Sequence, residues 1–171
     1  AAIVKNDEVV GYYKTLQDAI DIAQAGDTIT VVNNVVLTKT LVVPAAATTF
    51  SRRAATGITL DLNGKTVSMA DASGAAAALL KNEGILTIKD SSAEKTGMLS
   101  FSTTTPSAAN TYASNTISNY GVLTIESGSI VNSGNGGACY ALDNYAGSTA
   151  TIKGGTITGN YAQEHAGGIF T

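Results

Sequence analysis

The sequence predicts an all-β solenoid that carries one short helix near its start. Two observations predict the strands. A segment recurs three times with the same order of residue types: "NEGILTIKDS" from Asn82, "NYGVLTIESGSI" from Asn119 and "NYAGSTATIKGGTI" from Asn144. The composition is 44% hydrophobic but only 6% aromatic, with 18 Gly and 2 Pro. Small branched apolar residues with many glycines describe many short strands and turns, not a helical bundle. A third observation decides the arrangement. From Ile88 to Ile125 is 37 residues, and from Ile125 to Ile152 is 27. Units of this length are too short for four-stranded propeller blades. They suit rungs that each cover the apolar side of the last, with insertions leaving at corners.

The helix is read from its signals. Thr15 caps the first turn, and Asp18 stands at the capping-box position. Leu16, Ala19, Ile20 and Ala23 then form one apolar face at i, i+3, i+4, i+7. A helix over 15–25 follows, with Gly26 stopping it in a left-handed cap. Residues 1–26 are expected to form an N-terminal cap of one strand plus this helix, and 27–171 the rungs.

After Gly26 the apolar period changes to two. Ile29, Val31, Val35, Leu37, Leu41 and Val43 lie in strand-like runs that Pro44 ends. Residues 45–56 read as a loop. Ile58, Leu60 and Leu62 share one face, and Asp61 between them is expected to face away from the core. Asn63-Gly64 marks either a tight hairpin or a corner where the chain bends and continues. Residues 70–78 are Ala-rich, and 100–113 read as an insertion that lengthens the first interval.

Aligning the repeats places Ile88, Ile125 and Ile152 in one inward column, with Thr87, Thr124 and Thr151 in an outward column beside it. Lys89, Glu126 and Lys153 share a third column, where opposite charges one rung apart attract weakly.

These segments resemble the right-handed parallel β-helix (pectate-lyase-like) modules of secreted and cell-surface bacterial proteins. "YYKTLQDAIDIAQAGDTITVV" is similar to their capping helix and first strand. "ITLDLNGKTVS" is similar to an early rung, and "NYGVLTIESGSI" and "IKGGTITGN" to the repeated rungs. "GGACY" and "AGGIF" resemble the Gly-Gly motif of polymorphic surface adhesins. The resemblance covers most of the chain. It implies a right-handed parallel β-helix in an extracellular or cell-surface setting. It also implies two activities: a non-catalytic adhesin or stalk, or a polysaccharide lyase or glycoside hydrolase. Fold alone does not choose between them.

The candidate chemistry favours the first. A lyase of that family would need acidic calcium ligands with a basic proton abstractor; a hydrolase would need paired carboxylates. Asp61, Asp71, Asp90, Glu94, Glu126, Asp143 and Glu164 fall at non-equivalent positions in different units. No residue is therefore assigned as catalytic, and no metal or other cofactor is expected. A site around Asp61, Asp90 and Lys65 is the remaining acidic candidate. "NGKT" lacks the glycine a phosphate loop needs, since Thr59 holds that position. Cys139 and His165 are each the sole residue of their kind, and neither has partners spaced for a triad or zinc site. Tyr120 and Tyr145 follow Asn at equivalent corners, so they are expected to stack along one edge, where aromatic faces hold sugars or proteins.

With a net charge of −3 and only Arg52-Arg53 as an adjacent basic pair, nucleic acid is not an expected partner. No apolar run is long enough to span a membrane. The expected partners are a polysaccharide or a host or cell-surface protein, met by Tyr120, Tyr145, Asp61, Asp90 and loops 45–56 and 100–113. Thr171 falls inside a unit, so the open end is expected to be covered by further rungs or by a second copy.

Overall fold

A computed structural model describes residues 1–5, 8–45, 57–71, 78–103, 114–134, 138–158, 161–162 and 168–171. The chain opens with an antiparallel pair, β1 (Ala2–Lys5) and β2 (Glu8–Tyr12), and then the helix α1 (Leu16–Ile22). Strands follow in trios. The first is β3 (Thr28–Thr30), β4 (Val35–Leu37) and β5 (Leu41–Val43); the second is β6 (Ile58–Asp61), β7 (Thr66–Asp71) and β8 (Ala78–Asn82). The third is β9 (Ile85–Lys89), β10 (Met98–Thr103) and β11 (Asn115–Asn119). The next strands are β12 (Val122–Ile125), β13 (Ser129–Asn132), the short β14 (Ala138–Cys139) and β15 (Leu142–Asn144). Last come β16 (Thr149–Ile152), β17 (Thr156–Thr158), β18 (Tyr161–Ala162) and β19 (Ile169–Phe170).

Each trio gives one strand to each of three sheets. The first sheet runs β16-β12-β9-β6-β3-β1-β2, the second β17-β13-β10-β7-β4, and the third β19-β15-β11-β8-β5. Within these three sheets every pair between successive sets is parallel, whereas β1 and β2 join the first sheet antiparallel. The molecule is therefore mostly parallel β-sheet, in an order compatible with a β-helix-like coil. β14 and β18 form a separate antiparallel pair.

The register explains the core. Leu60, Ile88, Ile125 and Ile152 are successive partners in the first sheet, as are Ile58, Leu86, Leu123 and Ala150. In the second sheet Val67, Leu99 and Ile130 align; in the third, Leu41, Leu80, Ile117 and Leu142. Nearly all of these side chains lie in one buried cluster. Burying each such aliphatic side chain is worth about 1.5–3 kcal/mol, so the columns dominate stability. The two exceptions are in β16: Ala150 packs half-buried against the cluster, and Ile152 is 43% exposed although it keeps its register. Among the described residues β16 is the last strand of its sheet, and none beyond it covers that side chain.

The cap departs from expectation in two ways. It contains two strands rather than one, and α1 is shorter than 15–25. Thr15 does cap it: its Oγ1 accepts the Asp18 amide at 3.0 Å, and the Asp18 carboxylate accepts the Thr15 amide. The helix closes at Ala23, whose extended backbone leaves the α region. Gly26 has the left-handed φ expected of it, +87°, but in the turn beyond the helix. Leu16, Ala19 and Ile20 point into the core, and the Gln17 side chain acts as a strand would. Its amide donates to the Val42 carbonyl at 3.0 Å, and its carbonyl accepts the Val42 N–H at 2.9 Å. One side chain thereby pairs part of the free edge of β5.

Asn63-Gly64 is a corner, not a hairpin, because β6 and β7 belong to different sheets. Both residues have positive φ, 47° and 70°, which Asn and Gly tolerate best. At Gly121 the constraint is close approach: a Cβ there would strike the Gly84 carbonyl of the trio before. The Ser/Thr-rich segment from residue 100 does not begin as an insertion. Met98–Thr103 is a strand, and Phe101 is fully buried beside Met69. Leu99 and Phe101 alternate with serines, a period-two pattern that the surrounding polar residues obscure. The remainder of that insertion, most of loop 45–56, most of the Ala-rich stretch and His165 lie outside the described residues.

Candidate functional site

The corner after the third sheet brings several polar and aromatic groups together. It is built on a ladder of asparagines. Asn82 donates from Nδ2 to Asn119 Oδ1 at 2.8 Å, and Asn119 donates in turn to Asn144 Oδ1 at 2.7 Å. Each also binds the backbone just past the corner of the next trio: Asn82 donates to the Val122 carbonyl, and Asn119 to the Thr149 carbonyl. The Gly84 and Gly121 amides donate back to the same two side chains. Asn82 and Asn119 are fully buried, so these bonds satisfy groups that would be expensive to leave unpaired. Val43 holds the equivalent place in the first trio, so the ladder starts with the second.

The ladder fixes the phase of the residue after each Asn. Tyr120 and Tyr145 therefore stack, with ring centroids 4.0 Å apart and planes 16° from parallel. This is the arrangement expected from the recurring Asn-Tyr. It has a consequence for recognition, because the two facing ring surfaces cover each other. Lys81 Nζ sits 5.1 Å from the Tyr120 centroid and forms a 2.6 Å ion pair with Glu83. Tyr120 nonetheless remains 44% exposed.

The Tyr145 side chain also meets a buried carboxylate. Asp143 accepts a 3.0 Å hydrogen bond from Asn115 Nδ2, which also donates to Ser118 Oγ. Burial, followed by hydrogen bonding with Tyr120 and Asp143, pushes the Tyr145 phenol far above its ordinary value. Burial and the charge of Asp143 likewise raise Tyr140, which stacks on Phe170 at 5.0 Å. Both phenols are hydrogen-bonding groups, not bases, at neutral pH. A groove of about 310 Å³ runs beside Tyr120, lined by Thr40, Val42, Ala78, Lys81 and Ser118.

Asp61 and Asp90 lie at another corner, between the first and second sheets. Asp61 is buried rather than facing solvent, at 4% exposure. The corner folds back over it, and its Oδ1 accepts the Asn63 and Ser91 amides at 3.0 and 2.9 Å. Asp90 accepts the Gly64, Ser92 and Gly97 amides at 2.8, 3.1 and 2.6 Å. Burial opposes its charge, but bonds from Ser92, Gly97 and Gly64 outweigh burial and hold the carboxyl below its usual range. Each aspartate thus binds the corner of the neighbouring trio as well as its own. Lys89 is 3.9 Å from Asp61, while Lys65 makes its corner bonds through its backbone. Tyr120 and Tyr145 come together, then, and so do Asp61 and Asp90, but the two pairs occupy different corners.

The outward face of the first sheet carries the threonine column. Thr87, Thr124 and Thr151 are in register, and the column extends back to Thr59 and Thr28. Beside it Glu126 and Lys153 approach to 3.4 Å, an exposed pair worth about 0–1 kcal/mol. Sequence reasoning missed Lys81 and the role of Asp143. Their signal is the Asn that precedes each corner, which sets where the flanking residues fall. Among the described residues no group of three or more His, Cys, Asp or Glu is placed to hold a metal ion, and no helix is long and apolar enough to cross a membrane. Comparison with protein-family models, with curated proteins and with solved structures finds no match for this chain.

Proposed function

We propose that the chain is a right-handed parallel β-helix module, pectate-lyase-like in architecture, of a bacterial cell-surface or secreted protein. It acts without catalysis, as an adhesin or stalk segment that binds glycan or protein through its lateral surface. The observation that carries this reading is the groove beside Tyr120. Its volume is within the range of small-ligand sites, and it sets an aromatic ring and aliphatic side chains beside a lysine and two hydroxyl residues. That mixture suits a sugar, which has apolar C–H faces and a polar rim. The roles of Asp61 and Asp90 support the non-catalytic part. Both carboxylates are buried and accept backbone amides, so they hold corners instead of facing a substrate.

A glycan-array screen tests the proposal, run beside an assay for unsaturated uronides released from acidic polysaccharides. The expected result is retention of one glycan class, at least ten-fold weaker binding by Tyr120→Ala, and no product. Release of unsaturated or reducing ends would overturn the non-catalytic reading. Glycan retention unaffected by Tyr120→Ala and Lys81→Ala would overturn the groove.

A further inference from the structure

Parallel sheets built one strand per trio leave an unpaired edge wherever the stack stops, and such edges pair readily with other chains. At the N-terminal end the three edges are treated differently. The edge of β3 is covered by β1, and that of β5 is bonded by the Gln17 side chain. β4 has no such cover: among the described residues nothing hydrogen-bonds the side of Val35–Leu37 that faces away from β7. Val36 is 77% exposed, while Val35 and Leu37 are half-buried against the core.

A groove of about 590 Å³ lies along this strand, between residues 14–17 and residues 35–42. Its lining includes Val35, Val36, Leu37 and Leu16 together with two exposed lysines, Lys14 and Lys39, and no carboxylate. Neither lysine has an acidic partner among the described residues. The free edge supplies backbone donors and acceptors, the half-buried side chains supply apolar contact, and the lysines select charge. Two copies meeting edge to edge at β4 would bring four lysines together, which disfavours that pairing.

We propose that β4 and this groove form a strand-addition site for an extended acidic segment of a partner protein, apolar at alternate positions. The segment hydrogen-bonds along Val35–Leu37 and continues the second sheet by one strand. Its apolar side chains cover Val35 and Leu37, and its carboxylates meet Lys14 and Lys39. Main-chain bonds supply affinity in this mode, and alternate side chains supply specificity.

The test is fluorescence anisotropy with a labelled eight-residue peptide that alternates valine and glutamate, added to the intact chain. Three controls accompany it: the same peptide N-methylated at alternate amides, a version with lysine for glutamate, and the protein variant Lys14→Glu with Lys39→Glu. Amide hydrogen exchange locates the contact. The proposal expects saturable binding that weakens with salt and slower exchange at Val35–Leu37. It expects at least ten-fold weaker binding in each control. No saturable binding, equal binding of the N-methylated peptide, or protection confined to other strands would overturn it. So would a dimer formed without peptide that protects the same amides, since the occupant would then be a second copy.

Discussion

Asn119 is bonded on both sides along the stacking direction: it accepts from Asn82, donates to Asn144 and binds its own corner. Asn119→Ala removes an acceptor from buried Asn82, a donor from half-buried Asn144, and the partner of the Gly121 amide. At about 1–3 kcal/mol for each group left unsatisfied, the variant should lose roughly 2–4 kcal/mol in urea unfolding. Asn144→Ala, at the half-buried end of the ladder, should lose less; equal losses would mean the ladder is not a connected unit. Asp90 makes a prediction in pH. Its folded carboxyl titrates below its unfolded value, so its stabilisation is full above the unfolded carboxylate pKa of about 3.9 and is lost as pH falls through the folded value. Thermal midpoints measured from pH 2 to 6 should fall steeply at the acid end. In Asp90→Asn they should start lower at pH 6 and change less below about pH 4. A parallel pair of curves would show that Asp90 is not a linked group.

At the scale of elements, the cap and the corners do most to define the ends and edges of the sheets. Gln17→Leu keeps the helix propensity of α1 but removes both bonds to Val42. It should cost about 1–3 kcal/mol by urea unfolding, with faster hydrogen exchange at Val42. An unchanged Val42 amide would show that the side chain does not act as a substitute strand. The elements also show what was readable beforehand. Thr15, Asp18 and the apolar face of α1 are local signals, and each holds in the structure. The columns through Ile88 and Ile125 were readable because parallel register preserves residue type from one copy to the next. The stacking of Tyr120 on Tyr145 was readable for the same reason. The burial of Asp61 was not, because Asn63 and Ser91 cover it from two different trios. Phe101 was hidden by the serines and threonines around it, and β2 by a lack of any repeat partner. The groove beside Tyr120 joins Thr40, Ala78 and Ser118 from three trios, so no local window contains it.

At the scale of the whole molecule, successive trios pair strand by strand in three sheets, an order that requires them to advance along one direction by a constant step. The outward threonine column is a ruler for that step, since its members are register partners from Thr28 to Thr151. Adjacent strands lie about 4.8 Å apart, so backbone positions two, three and four strands away should be about 10, 14 and 19 Å distant. Side chains on this face tolerate labels, because four of the five are half-buried and Thr151 is exposed. The most direct measurement is electron-spin dipolar distance between nitroxides, with Cys139 replaced by Ala. One label is placed at Thr28→Cys and the second at Thr87→Cys, Thr124→Cys or Thr151→Cys. Distances that lengthen by one strand spacing at each step are the predicted result. Distances that stay level, shorten, or scatter without order across the three pairs would contradict the stacked arrangement.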